Sequence, residues 1–168
     1  MLIPLPDEEI DALIREPKTT PRALLPLRLI EHNKHRRRDY QVHSASGNEF
    51  VIAIRQSVID GLNFSVILMH RRPGFTTLFR LRRYNGLHGE HTNEIEGNKL
   101  DDFHVHTATE RYQTLGAREE SFAEVTSRHW NLDSAVRCLL EDCGFDPPPP
   151  SPQIPFSFAN PANPGQTP

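Results

Sequence analysis

Cysteine, lysine and long apolar runs are all scarce in this 168-residue chain, and each scarcity excludes something. The two cysteines, Cys138 and Cys143, stand five positions apart in a helix-like stretch. A helix turns positions so spaced in different directions, so no bridge is expected between them. A disulfide-held secreted scaffold is thereby excluded, and the chain reads as reduced and cytoplasmic. No apolar run approaches the ~20 residues of a membrane span. Met1 to Pro6 lacks the basic start and apolar stretch of a secretory leader, so no membrane partner is expected. A formal charge of −3 provides no global field toward nucleic acid or an anionic surface. Three lysines stand against sixteen arginines. The guanidinium fork suits phosphate and carboxylate, although a GC-rich coding bias gives the same imbalance.

What is present reads as one α+β domain over residues 1–145, followed by a tail. Residues 7–16 form a short amphipathic helix with Asp7 as its cap and acids in its first turn. Ile10, Leu13 and Ile14 make its buried stripe, and Pro17 stops it. Residues 21–34, with Pro21 and Pro26 among apolar positions, suit either an edge strand or an extended linker. From Arg37 the period becomes two. Arg38–Ser44 turns through 45–48 into Phe50–Arg55, and Asp60-Gly61 precedes a strand over 63–70. Arg72-Pro73-Gly74 turns into a strand over 76–84. With a strand over 103–109 these make a curved antiparallel meander of about five strands. Residues 120–127 suit a strand or a bend. A second helix over 132–143, capped by Asn131 and ended by Gly144, presents Leu132, Ala135, Val136, Leu139, Leu140 and Cys143 on one face. Residues 146–168 hold nine of the fifteen prolines and read as a disordered or polyproline-like tail.

The chain is organised around residues 85–112, which carry four of its nine histidines. Glycines at 86, 89 and 97 among polar residues predict a loop over 85–98. In the strand that follows, period two places Asp102, His104 and His106 on one face and, if the strand continues, Glu110. Phe103 and Val105 then face the core. Imidazole suits proton transfer near neutrality. His104 and His106 as acid and base, with Glu110 and Arg111 beside them, are the parts needed to cleave an RNA phosphodiester without a metal or other cofactor. Arg80 and Arg82, sharing a face opposite Phe79 and Leu81, would hold RNA together with Tyr84 and Tyr112. A second reading makes His88 and His91, with His104 and His106, ligands for zinc or manganese. In a third, His104 and His106 tie down the 86–102 loop by hydrogen bonds and the chain is a non-catalytic interaction module, binding a protein through its tail or a helix surface.

These pieces resemble the layout of small uncharacterised bacterial families. Those carry a Glu-Glu-x-x-x-Leu-Ile helix (here Glu8–Ile14), a β-meander, a His- and Gly-containing loop, and a His-x-His strand (here His104-Val105-His106) before a C-terminal helix. More distantly, the loop and strand are similar to TumE-like toxins of toxin–antitoxin pairs. That resemblance implies a small cytoplasmic bacterial protein directed at RNA and held by an antitoxin.

Overall fold

A computed structural model of the protein describes residues 3–147. Helix α1 (Asp7–Arg15) leads through a 3₁₀ turn (Arg22–Leu24) to β1 (Ile30–His32), β2 (His35–His43), β3 (Glu49–Ser57), β4 (Phe64–Arg71) and β5 (Leu78–Asn85). A small hairpin, β6 (His91–Thr92) with β7 (Lys99–Leu100), precedes β8 (His104–Thr107). Helix α2 (Glu110–Leu115), β9 (Phe122–Val125) and α3 (Leu132–Asp142) complete the order. The main sheet is antiparallel throughout and runs β1-β2-β3-β4-β5-β8-β9.

The α+β class therefore stands, with seven strands in the sheet where about five were expected. The two additional strands lie at its edges. β1 comes from the proline-bearing 21–34 stretch and β9 from the ambiguous 120–127 stretch, both too short to show an alternating pattern by themselves. The expected 85–98 loop contains the first strand of the β6–β7 hairpin. The proline-rich tail lies, from residue 148, outside the described residues.

Both expected helices form, and α3 has the cleaner start. Asn131 Oδ1 accepts from the Ser134 amide, and Ser134 Oγ accepts in turn from the Asn131 amide, a reciprocal cap. In α1, Asp7 is the first helical residue and not the cap; Pro6 occupies that position. Asp7 Oδ1 instead accepts from the Glu110 amide at 2.7 Å and so ties α1 to the start of α2. Apolar residues of α1 and α3, among them Ile10, Ile14, Val136 and Leu139, pack with Phe50, Ile52, Ile54, Val66, Leu68 and Leu81 in the principal core. The other face of the sheet carries a smaller apolar cluster of Val51, Ala53 and Met69.

A β-bulge decides what each face of β5 presents. Leu68 pairs with Arg82, but its neighbour Met69 pairs with Arg80, which leaves Leu81 as the extra residue. Directly paired residues share a face, so Arg82 points with Leu68 toward the helices while Arg80 and Arg83 point to the opposite side. The expectation that Arg80 and Arg82 share a face is thereby corrected. Arg82 lies over the Tyr84 ring at 5.8 Å and 4.0 Å from Asp142 of α3.

Candidate functional site

The face opposite the helices gathers the histidines. Register sets Arg83 opposite His106 and Asn85 opposite His104, so two alternating polar pairs meet on neighbouring strands. The chain leaves β5 at Gly86, whose amide donates to Phe64 O. A Cβ there would overlap the Leu62 carbonyl and come within 2.7 Å of the Phe64 ring, so only glycine passes. The 86–102 segment then folds back over β8 and brings His88 and His91 onto His104 and His106. Ring centroids are 4.6 Å apart for His91–His106, 4.8 Å for His104–His106, 5.4 Å for His88–His104 and 5.9 Å for His91–His104.

Hydrogen bonds fix the tautomer of three rings. His104 donates from Nδ1 to Asp102 O at 2.6 Å, and its Nε2 accepts from Asn85 Nδ2 at 3.3 Å. Asn85 is held in turn by Ser65, whose hydroxyl donates to its Oδ1 at 2.7 Å. His106 donates from Nδ1 to Glu120 O at 2.9 Å, and its Nε2 is buried without a partner. His91 donates from Nε2 to Ser121 O at 2.9 Å, which leaves its Nδ1 as an acceptor. His104 and His106 are buried, His91 is half-buried, and His88 is exposed.

Burial favours the neutral form of three of these rings, His88, His104 and His106. Burial, with Arg83 and the neighbouring imidazoles adding repulsion, draws His106 down to about 2. Burial also lowers His104 and His88 from the ordinary histidine value. Beside the rings lies an ionic group: the buried Glu120 carboxylate, 3.6 Å from Arg80 Nε and 3.8 Å from an Arg83 Nη. Neither Glu120 oxygen has a hydrogen-bond partner among the described residues, nor does Arg83 Nε. Isolated ions in such a place would be costly; two guanidinium groups around one carboxylate offset that cost.

The segment over the rings is anchored from outside. Asn93 uses its side chain as a strand would, accepting from Ala123 N at 2.9 Å and donating to Ala123 O at 2.8 Å. Tyr112 Oη donates to Glu96 at 2.7 Å and accepts from Ile95 N, and Arg111 pairs with Glu96.

The expected site residues are thus partly dispersed. His104 and His106 share a face, joined by His88 and His91. They lie under the loop, not in an open groove, and their hydrogen bonds run to Asp102, Asn85 and Glu120. His104 holds the end of the segment at Asp102, and His91, Asn93, Arg111 and Tyr112 secure the rest of it. Glu110 is not on the strand face, because Thr109 caps α2 and Glu110 begins that helix. Arg111 stacks on Phe122 at 4.7 Å. Tyr84 is enclosed in the core with its hydroxyl on Asp142 at 2.8 Å, and Tyr112 is equally buried, so neither ring is placed to stack on a base. Among the described residues no group of three or more His, Cys, Asp or Glu side chains is arranged to hold a metal ion.

Three contributors escaped the sequence reading: Asn85, Glu120 and His129, whose Nε2 donates to Asn85 O at 2.9 Å beneath the cluster. Arg83-x-Asn85 carried a signal, since it repeats beside His104-x-His106 the spacing of one strand face. Glu120 and His129 carried none.

The profile of one family covers residues 5–136, from α1 into α3 and across every residue of the cluster. The chain belongs to DUF6978, a family of unknown function. The histidine cluster and its anchoring segment therefore lie within the DUF6978 region. No curated protein and no solved structure matches the chain. Among the described residues no helix is long and apolar enough to cross a membrane.

Proposed function

We propose that this chain is a small cytoplasmic bacterial protein of toxin type, similar in role to the TumE-like toxins. In this reading it cleaves RNA at the histidine cluster without a metal. The observation that carries the reading is the buried, partnerless Nε2 of His106, whose ring lies 4.6 Å from that of His91 between centroids and opposite Arg83 in register. A buried lone pair left unmatched costs about 1–3 kcal/mol, and such atoms mark places where a ligand group completes the bonding. His91 Nδ1 takes the ribose 2′-hydroxyl proton, since its other nitrogen is held on Ser121. The 2′-oxygen then attacks phosphorus and the bond to the 5′-oxygen breaks; His88, which takes up a proton from solvent when the phosphate binds, gives it to that oxygen, and His91 afterwards releases its own proton to solvent. Arg83 offsets the charge that develops on the phosphoryl oxygens. The negative phosphate also restores to the rings the proton affinity that burial removes. His104 orients the pair. An antitoxin would cover the surface around the exposed His88.

Incubating the full chain with single-stranded RNA tests this. We expect cleavage that persists in chelator, leaving cyclic phosphate and 5′-hydroxyl ends. His91→Ala and His88→Ala should each lower the rate by roughly 10²–10⁴-fold. Uncut RNA would end the reading, and cleavage lost in chelator but restored by zinc or manganese would replace it with the metal alternative. Unchanged cleavage in both variants together with a lower Tm would leave the histidines a structural role only.

A further inference from the structure

A cleft lies along the same strand. Of about 410 Å³, it opens at the start of β5 between the N-terminal segment, the 72–80 hairpin and the end of α2. Ile3, Pro4, Arg72, Phe75, Arg80 and Glu119 are among the residues that line it. The Arg72 guanidinium rests over the Phe75 ring at 4.6 Å from its centroid and 5.8 Å from that of Phe79. Among the described residues no carboxylate lies within ion-pair distance of Arg72, whereas Arg80 has both Glu119 and Glu120. Phe75 is one of the exposed large apolar residues. A planar cation that lines an open cleft and is backed by an aromatic ring suits stacking on a nucleobase.

Arg80 links the cleft to the histidine site. It lines the former and also touches the Glu120 carboxylate that holds Arg83, the register partner of His106. Arg80 and Arg83 are three residues apart, roughly 10 Å of strand at about 3.3 Å per residue. The bulge at Leu81 puts both on the same face despite their odd spacing.

We infer that this cleft is a nucleobase-binding subsite for single-stranded RNA, in which a base stacks on Arg72 over Phe75 while the backbone follows Arg80 and Arg83 to the histidines. The inference rests on the RNA reading above and adds to it a second point of attachment. It predicts that affinity and chemistry divide between two ends of one strand. The cleft sets how tightly a substrate is held, and the rings set how fast it reacts.

Two measurements on the full chain test it. One titrates a mononucleotide, 5′-AMP, into the protein and follows NMR shifts at Phe75 and the residues around it. The other compares KM and kcat for a short RNA in Arg72→Ala, Phe75→Ala and Arg72→Lys. Arg72→Lys keeps the charge and removes the plane. We expect 5′-AMP to shift the cleft resonances in the wild type and not in Arg72→Ala. KM should rise on the order of tenfold in all three variants with kcat nearly unchanged, and melting curves should overlay the wild type. RNA cleaved with an unchanged KM in Arg72→Ala and Phe75→Ala would overturn the cleft while leaving the ribonuclease reading intact. Wild-type affinity in Arg72→Lys would overturn stacking. Uncut RNA with 5′-AMP still bound at Phe75 would do the reverse, sinking the ribonuclease and keeping the subsite, and no response to 5′-AMP with uncut RNA would sink both.

Discussion

Lys18 is a buried lysine that serves two helix ends at once. Its ammonium donates to Leu13 O at 2.7 Å, Ile14 O at 3.0 Å, Glu16 O at 2.9 Å and Cys143 O at 3.1 Å, and it lies 4.5 Å from the centroid of Phe50. The last carbonyls of α1 and the end of α3 are partly negative and lack intrahelical donors, and one cation meets both needs. Burial draws its pKa down to about 8, still above neutral, so the charge is kept at pH 7. Lys18→Met should cost roughly 3 kcal/mol, because it leaves several buried carbonyls unmatched. A lower urea midpoint with an unchanged slope would show this, and a shift well under 1 kcal/mol would contradict it. Nothing local in the sequence distinguishes Lys18 from a solvated lysine after a helix stop, because its partners lie on α1 and, 125 residues away, on Cys143. The histidines were legible for the opposite reason. Their spacing of two and their neighbours fix the strand face within a few residues. Whether that face would be open or covered depended on Asn93, Arg111 and Tyr112 meeting residues from other elements, which no short-range pattern shows.

Among the elements, the long apolar periods were the readable ones. α1 and α3 bury the stripes their spacing predicts, and the central strands pair in the predicted order. Short edge elements and the bulge were not readable: a two-residue strand has no period, and an extra residue shifts every later side chain to the other face. The anchored 86–102 segment is where this matters for the histidine cluster, since it covers the rings. Tyr112→Phe removes the bonds to Glu96 and Ile95 and should loosen the segment for about 1 kcal/mol. Faster hydrogen exchange at Ile95 and its neighbours, with the α3 amides unchanged, is the expected pattern. If exchange rises equally in α3, the tyrosine supports the whole fold and not this segment.

For the molecule as a whole, the histidines make stability depend on pH in one direction. Burial lowers His70, His104 and His129 from the ordinary value, and His106 most strongly, to about 2. In the unfolded chain each takes a proton near pH 6.5. Below that pH the unfolded state binds more protons than the folded one, so the histidine contribution to stability falls as pH drops and is level above about pH 7. Tm should therefore decline between pH 7 and 5, and His106→Gln should flatten part of that decline even if the variant starts from a lower Tm. An equal slope in the variant would show that His106 does not contribute. The hold of Asn93 on Ala123 has a further consequence, at the level of many molecules. β9 is the last strand of the sheet, and an uncovered last strand is a template on which another chain can build. By occupying both backbone groups of Ala123, one amide side chain denies a second copy that foothold. Asn93→Ala should then scatter light in concentrated solution well before it unfolds, with β-sheet content rising as the monomer is consumed.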